Sequence, residues 1–65
     1  MPVVRVSWFE GKSHDQKAKV AADITETIVK TTGTDAKYIY VIFDDVAASD
    51  WAGEGKLFGD GSSAG

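Results

Sequence analysis

PVVRVSWFEGKSHDQ, residues 2–16, decides the fold. Its first eight residues are rich in β-branched and aromatic types, which suits a strand. Period-two alternation puts Val4, Val6 and Trp8 on one face and Val3, Arg5, Ser7 and Phe9 on the other, so both faces carry apolar groups. Glu10-Gly11-Lys12 breaks the run. Ser13-His14-Asp15-Gln16 then matches the Ser-x-x-Gln capping box, in which two side chains satisfy the orphan amides of a helix start. A strand over residues 2–9 is therefore followed by a helix beginning after Ser13.

The helix is read from His14 to about Thr32. Val20, Ala21, Ile24 and Ile28 share one stripe, and Lys17, Lys19, Asp23 and Glu26 lie largely off it. Gly33 suits the left-handed residue after the last turn. Tyr38 to Phe43, YIYVIF, is a continuous apolar run and predicts a second strand covered on both faces. Strand, helix and strand in this order make a βαβ unit with parallel strands and a right-handed crossover. The fold class is α+β: two parallel strands and one crossover helix, with a short C-terminal hairpin or cover formed by the segment holding Val46, Trp51, Leu57 and Phe58. One helix covers one face of such a sheet. The other face needs a second layer, and the layer expected is another copy of the chain.

Sixty-five residues form at most one domain, assigned to residues 2–60, with residues 61–65 (GSSAG) a linker-like tail of natural or appended origin. A domain this small buries only about 60% of the surface of its unfolded chain. No cysteine is present to staple it, so oligomerisation is the expected source of stability. A net charge of −3 with no basic run argues against nucleic-acid and anionic-membrane binding. No apolar run approaches the ~20 residues that span a bilayer, and no signal-peptide pattern opens the chain. The expected location is cytoplasmic.

The single histidine, His14, has no partner at metal-ligand spacing, and no Gly-x-Ser-x-Gly or phosphate-binding glycine loop occurs. No cofactor or metal is expected. Asp44 and Asp45 are adjacent in a strand, point to opposite faces, and do not suit a carboxylate dyad. Pro2 remains. Once Met1 is removed, its ring nitrogen is a secondary amine; free α-amino groups titrate at about 7.7–8.0, and burial or a nearby cation lowers that value. Such a group can act as a neutral base at physiological pH.

These residues resemble the 4-oxalocrotonate tautomerase family, whose short βαβ subunit begins with a catalytic proline. The resemblance rests on Pro2 opening an apolar strand, on Glu10-Gly11-Lys12-Ser13 with Gln16-Lys17, on a strand ending Val41-Ile42-Phe43, and on the aromatic and glycine segment Trp51–Gly55. It spans roughly residues 2–59. It implies a homo-oligomer, a hexamer foremost, and a cofactor-independent isomerase (tautomerase) that moves a proton in a small 2-hydroxydienoate or 2-oxo acid. Pro2 would be the general base, Lys12 would stand at the carboxylate-binding arginine of the family, and Trp51 at an aromatic wall. The family's second arginine falls at Tyr40, a departure, since tyrosine donates one neutral hydrogen bond and makes no bidentate ion pair. Lys37 and Arg5 are the substitute cations. Along an extended chain of ~3.3 Å per residue, Lys12 lies about 30 Å from Pro2, so a site using both draws them from different copies.

Two other readings share this fold. Tyr40 and a retained Met1 favour a non-catalytic oligomeric scaffold or assembly subunit. A hydratase, dehalogenase or decarboxylase would need a further carboxylate to activate water, with Asp50 and Asp60 as the candidates.

Overall fold

A computed structural model describes residues 1–59. Asp60 and the tail 61–65 lie outside the described residues. Strand β1 (Val3–Phe9) leads through a turn into helix α1 (His14–Thr32), and strand β2 (Tyr40–Val46) returns parallel to β1 in the register Val3↔Tyr40 to Phe9↔Val46. A hairpin of β3 (Ala52–Gly53) and β4 (Lys56–Leu57) follows. The βαβ unit with a short C-terminal hairpin is the architecture expected of the sequence.

The helix boundaries follow from local chemistry. The Ser13 hydroxyl accepts from the Gln16 amide at 3.1 Å, and the Gln16 side-chain oxygen accepts from the Ser13 amide at 2.9 Å, completing the capping box. At the other end Gly33 takes φ 76° and donates to the Val29 carbonyl at 2.9 Å, a conformation costly for any residue with a Cβ. Gly11, at φ 115°, makes the sharp exit from β1.

Two boundaries differ from the sequence reading. Tyr38 belongs to a 3₁₀ turn, Ala36–Tyr38, capped by the Asp35 carboxylate, which accepts from the Lys37 amide at 3.0 Å. The strand begins only at Tyr40 and then runs through Asp44 and Asp45 to Val46. Both carboxylates are tolerated there because each has partners. Asp44 accepts from Arg5 at 3.1 Å and Ser7 at 3.2 Å on one face, and Asp45 accepts from the Trp8 indole at 2.8 Å on the other. Lys17 also departs from expectation. It sits one turn before Val20 and Ala21, is half-buried, and pairs with Asp45 across the helix–sheet junction.

Val4, Val6 and Trp8 face α1 with Val41 and Phe43, and the Trp8 and Phe43 rings stack at 5.1 Å. This half-covered layer is thin. Among the described residues only Ile39 is buried, at 9% exposure. The far face of the sheet is open in the single chain, with Val3 54%, Tyr40 52% and Ile42 38% exposed. The second strand is thus covered on one face, not both. Three apolar or aromatic side chains on one side of a two-stranded sheet are a surface that a second layer would cover.

Candidate active site

Pro2 immediately precedes β1 and is half-buried, while Met1 before it is 85% exposed. The parallel register fixes the surroundings of Pro2. Its carbonyl accepts from the Tyr40 amide at 3.1 Å, so the ring is tied to the first residue of β2. Tyr40 stands opposite Val3 on the open face of the sheet. Lys37 lies in the 3₁₀ turn feeding β2, with its ammonium 5.2 Å from the centre of the Tyr38 ring. Pro2, Lys37 and Tyr40 therefore share one end of the sheet.

Lys12 and Trp51 belong to the other end. Trp51 packs on Phe9, the last residue of β1, at 4.6 Å between ring centres, and Phe58 covers Phe9 from the hairpin at 5.6 Å. The Phe58 amide donates to the Trp51 carbonyl at 2.8 Å, which folds the segment back on itself. A seven-residue strand separates the two groups by about 20 Å. Within one chain the five candidate residues fall into two candidate half-sites at opposite ends of the sheet. The first holds the Pro2 ring, whose nitrogen is bonded to Met1 in this structure, with a phenol and an ammonium; in the second the Lys12 ammonium lies over Trp8 and Trp51 lies on Phe9, on opposite faces of β1.

Arg5, the other substitute cation, is engaged elsewhere. It bridges to Asp44 in the middle of the open face, two residues beyond Val3, and its charge is largely compensated there. Asp50 sits in a 3₁₀ turn, Ala48–Asp50, at the Trp51 end. No group of three His, Cys, Asp or Glu side chains among the described residues could hold a metal ion.

The structure adds residues that the sequence did not single out. Lys12 donates to the Phe9 carbonyl at 3.1 Å, and its ammonium stands 4.9 Å from the centre of the Trp8 ring. Trp8 in turn donates its indole N–H to Asp45, which also pairs with Lys17. Those contacts, Lys17 first and Trp8 second, hold the Asp45 carboxyl below its ordinary titration range. Beside this cluster lies an open groove of about 470 Å³ lined by Trp8, Lys12, Asp15, Gln16, Lys19 and Val20. The register that sets Trp8 against Asp45 is the signal that would have found the cluster, and it depends on where β2 begins and ends.

Comparison with known proteins bears on what these half-sites belong to. The family model described as "Tautomerase enzyme" matches residues 2–61. A protein of Ralstonia nicotianae named "Probable tautomerase" is 67% identical over 60 residues, covering 92% of this chain and 92% of that protein. A "Probable tautomerase" of Lactococcus lactis is 43% identical over 61 residues, 94% of this chain and 90% of its own. Among solved structures, a 4-oxalocrotonate tautomerase homologue (TTHB242) superposes with a TM-score of 0.85 at 30% identity, covering 92% of this chain and 95% of that one. YwhB, another homologue of 4-oxalocrotonate tautomerase, gives 0.84 at 30% identity, over 91% and 97%.

Proposed function

The chain belongs to the tautomerase family, and from that membership we propose that it is a cofactor-independent isomerase whose general base is Pro2, freed by removal of Met1. The observation that carries this reading is the position of Pro2. It is the first residue after an exposed methionine and is held half-buried at the sheet end by the Tyr40 amide. A ring nitrogen released there is a rigidly held secondary amine, and its partial desolvation favours the neutral form that a base at pH 7 requires.

The substrate class is a small 2-hydroxydienoate or 2-oxo acid. In the forward direction the Pro2 nitrogen takes the enol proton, the electron pair moves through the conjugated system, and the same proton returns to carbon, so no redox partner or metal is required. Negative charge develops on the oxygen at C2 in the transition state. Tyr40 stands beside Pro2 and donates a hydrogen bond to that oxygen, and Lys37 adds positive potential from the adjoining turn. Tyr40 gives a single neutral donor where the family carries an arginine, so carbonyl polarisation is weaker and Lys37 carries more of the charge.

Lys12 binds the distal carboxylate and Trp51 walls the pocket. Since these two lie at the opposite sheet end within one chain, the complete site joins the Pro2 half of one copy to the Lys12 half of another. The open face with Val3, Tyr40 and Ile42 is the surface on which copies assemble, as a homohexamer.

The test is enol ketonisation by protein with its N-terminal proline verified by intact mass, using 2-hydroxymuconate and phenylenolpyruvate, against the Pro2→Ala variant. A loss of about a hundredfold or more in kcat/KM is expected in Pro2→Ala. Equal rates in the two proteins would refute the role of Pro2, and absence of turnover on every enol offered would favour the scaffold reading.

A further inference from the structure

Lys12 is half-buried, and a lysine ammonium is a flexible point charge on a four-carbon stem, so something must hold it if it is to meet a carboxylate repeatedly in one place. Two contacts do so here. One N–H is used on the Phe9 carbonyl at 3.1 Å, and the ammonium rests 4.9 Å from the centre of the Trp8 ring, inside the range of cation–π attraction. An ammonium has three donors, so at least one is left for an incoming anion.

The ring itself is fixed by two contacts, one of them braced from behind. Its N–H is held by Asp45 at 2.8 Å, Phe43 stacks on it at 5.1 Å with an interplanar angle of 11°, and Lys17 anchors Asp45 from α1. Trp8 pairs with Asp45 near the end of β1 opposite the Pro2 half-site. We propose that Trp8 is a positioning residue: its indole face, oriented by the Asp45 carboxylate, presents the Lys12 ammonium to the substrate carboxylate. The arrangement compensates for lysine in place of arginine, supplying from a neighbouring ring the orientation that a guanidinium has in its own planar fork. The proposal rests on the role given to Lys12 above. It adds a specificity consequence, because the cradle acts on carboxylate binding and leaves proton transfer at Pro2 untouched.

The experiment is a double-mutant cycle between Trp8 and Lys12, read as KM and kcat separately for a dicarboxylate enol, with NMR of the Lys12 ε-methylene protons as a second readout. Trp8→Leu should raise KM about three- to tenfold, the size of a cation–π contact, with kcat little changed. Trp8→Phe, which keeps a ring face and loses the bond to Asp45, should recover only part of that loss. In a Lys12→Ala background Trp8→Leu should raise KM no further. The ε-methylene protons should be shifted upfield by the ring current, in Trp8→Leu the shift should vanish, and this readout requires no turnover. An independent, additive effect of Trp8→Leu in the Lys12→Ala background, or unshifted methylene protons in the unmutated protein, would overturn the proposal. A Lys12→Ala protein with unchanged KM would overturn it as well, and with the methylene shift present would place the failure in the role of Lys12 and not in the contact.

Discussion

At the residue scale the proposed chemistry turns on a nitrogen that becomes basic only after removal of Met1. With Met1 attached, the Pro2 nitrogen is a tertiary amide without basicity; without it, the same atom is an amine. A variant with one extra residue retained before Pro2 should therefore bind substrate with nearly unchanged KM and lose kcat, measurable by stopped ketonisation assays on mass-verified samples. A second residue-scale prediction concerns Asp45. Lys17 and Trp8 hold its carboxyl below the ordinary value of about 3.9, so the folded state binds its proton less readily than the unfolded chain. Its stabilisation is fully present above about pH 4 and is lost as pH falls through the depressed folded value. Asp45→Asn should be less stable than the unmutated protein at pH 7, and the difference between them in urea midpoint should shrink toward pH 3. A constant difference across that range would show that the carboxylate charge contributes nothing.

Elements carry the next set of consequences. Removing the cap hydroxyl in Ser13→Ala should destabilise the protein by about 1 kcal/mol in urea titration, since the Gln16 amide loses its acceptor. Gly33→Ala should cost about 1 kcal/mol through the φ of 76°, although nothing lies within 4 Å of the added Cβ. Both ends of α1 were legible because caps are local: Ser13, Gln16 and Gly33 act within one turn of chain. The second strand was misread at its ends for the opposite reason. Whether Asp44 and Asp45 can stay in a strand depends on Arg5, Ser7, Trp8 and Lys17, residues about 30 to 40 positions away that only the parallel register brings near. Likewise the aromatic run beginning at Tyr38 looked like strand, while the Asp35 cap turns that residue into a 3₁₀ turn. The candidate site divides along the same line. Pro2 is a proposal made from the sequence, since the chemistry assigned to it is that of a chain terminus, but the Trp8–Lys12–Asp45 cluster required the fold.

At the scale of the whole molecule a chain with one buried residue among those described does not hold its own core. The open face carries Val3, Tyr40 and Ile42 around the Arg5–Asp44 pair, and covering it would add the apolar burial that a domain of this size lacks. Placing a further charge on this face with Ile42→Glu should shift the protein toward smaller species in sedimentation velocity and lower its unfolding midpoint, which in the unmutated oligomer should rise with protein concentration. An unchanged sedimentation coefficient would assign assembly to another surface. Because Pro2 and Lys12 lie beyond opposite ends of β1, dissociation should also abolish turnover while leaving each half-site intact. The measurement that bears most directly on the central claim is the pH dependence of kcat/KM for enol ketonisation by the methionine-free protein, alongside Pro2→Ala. The account predicts a rate that rises with pH through a single ionisation, matched by an N-terminal amine titration followed by NMR on Pro2, and at least about a hundredfold loss in Pro2→Ala. A pH-independent rate that survives in Pro2→Ala would contradict it.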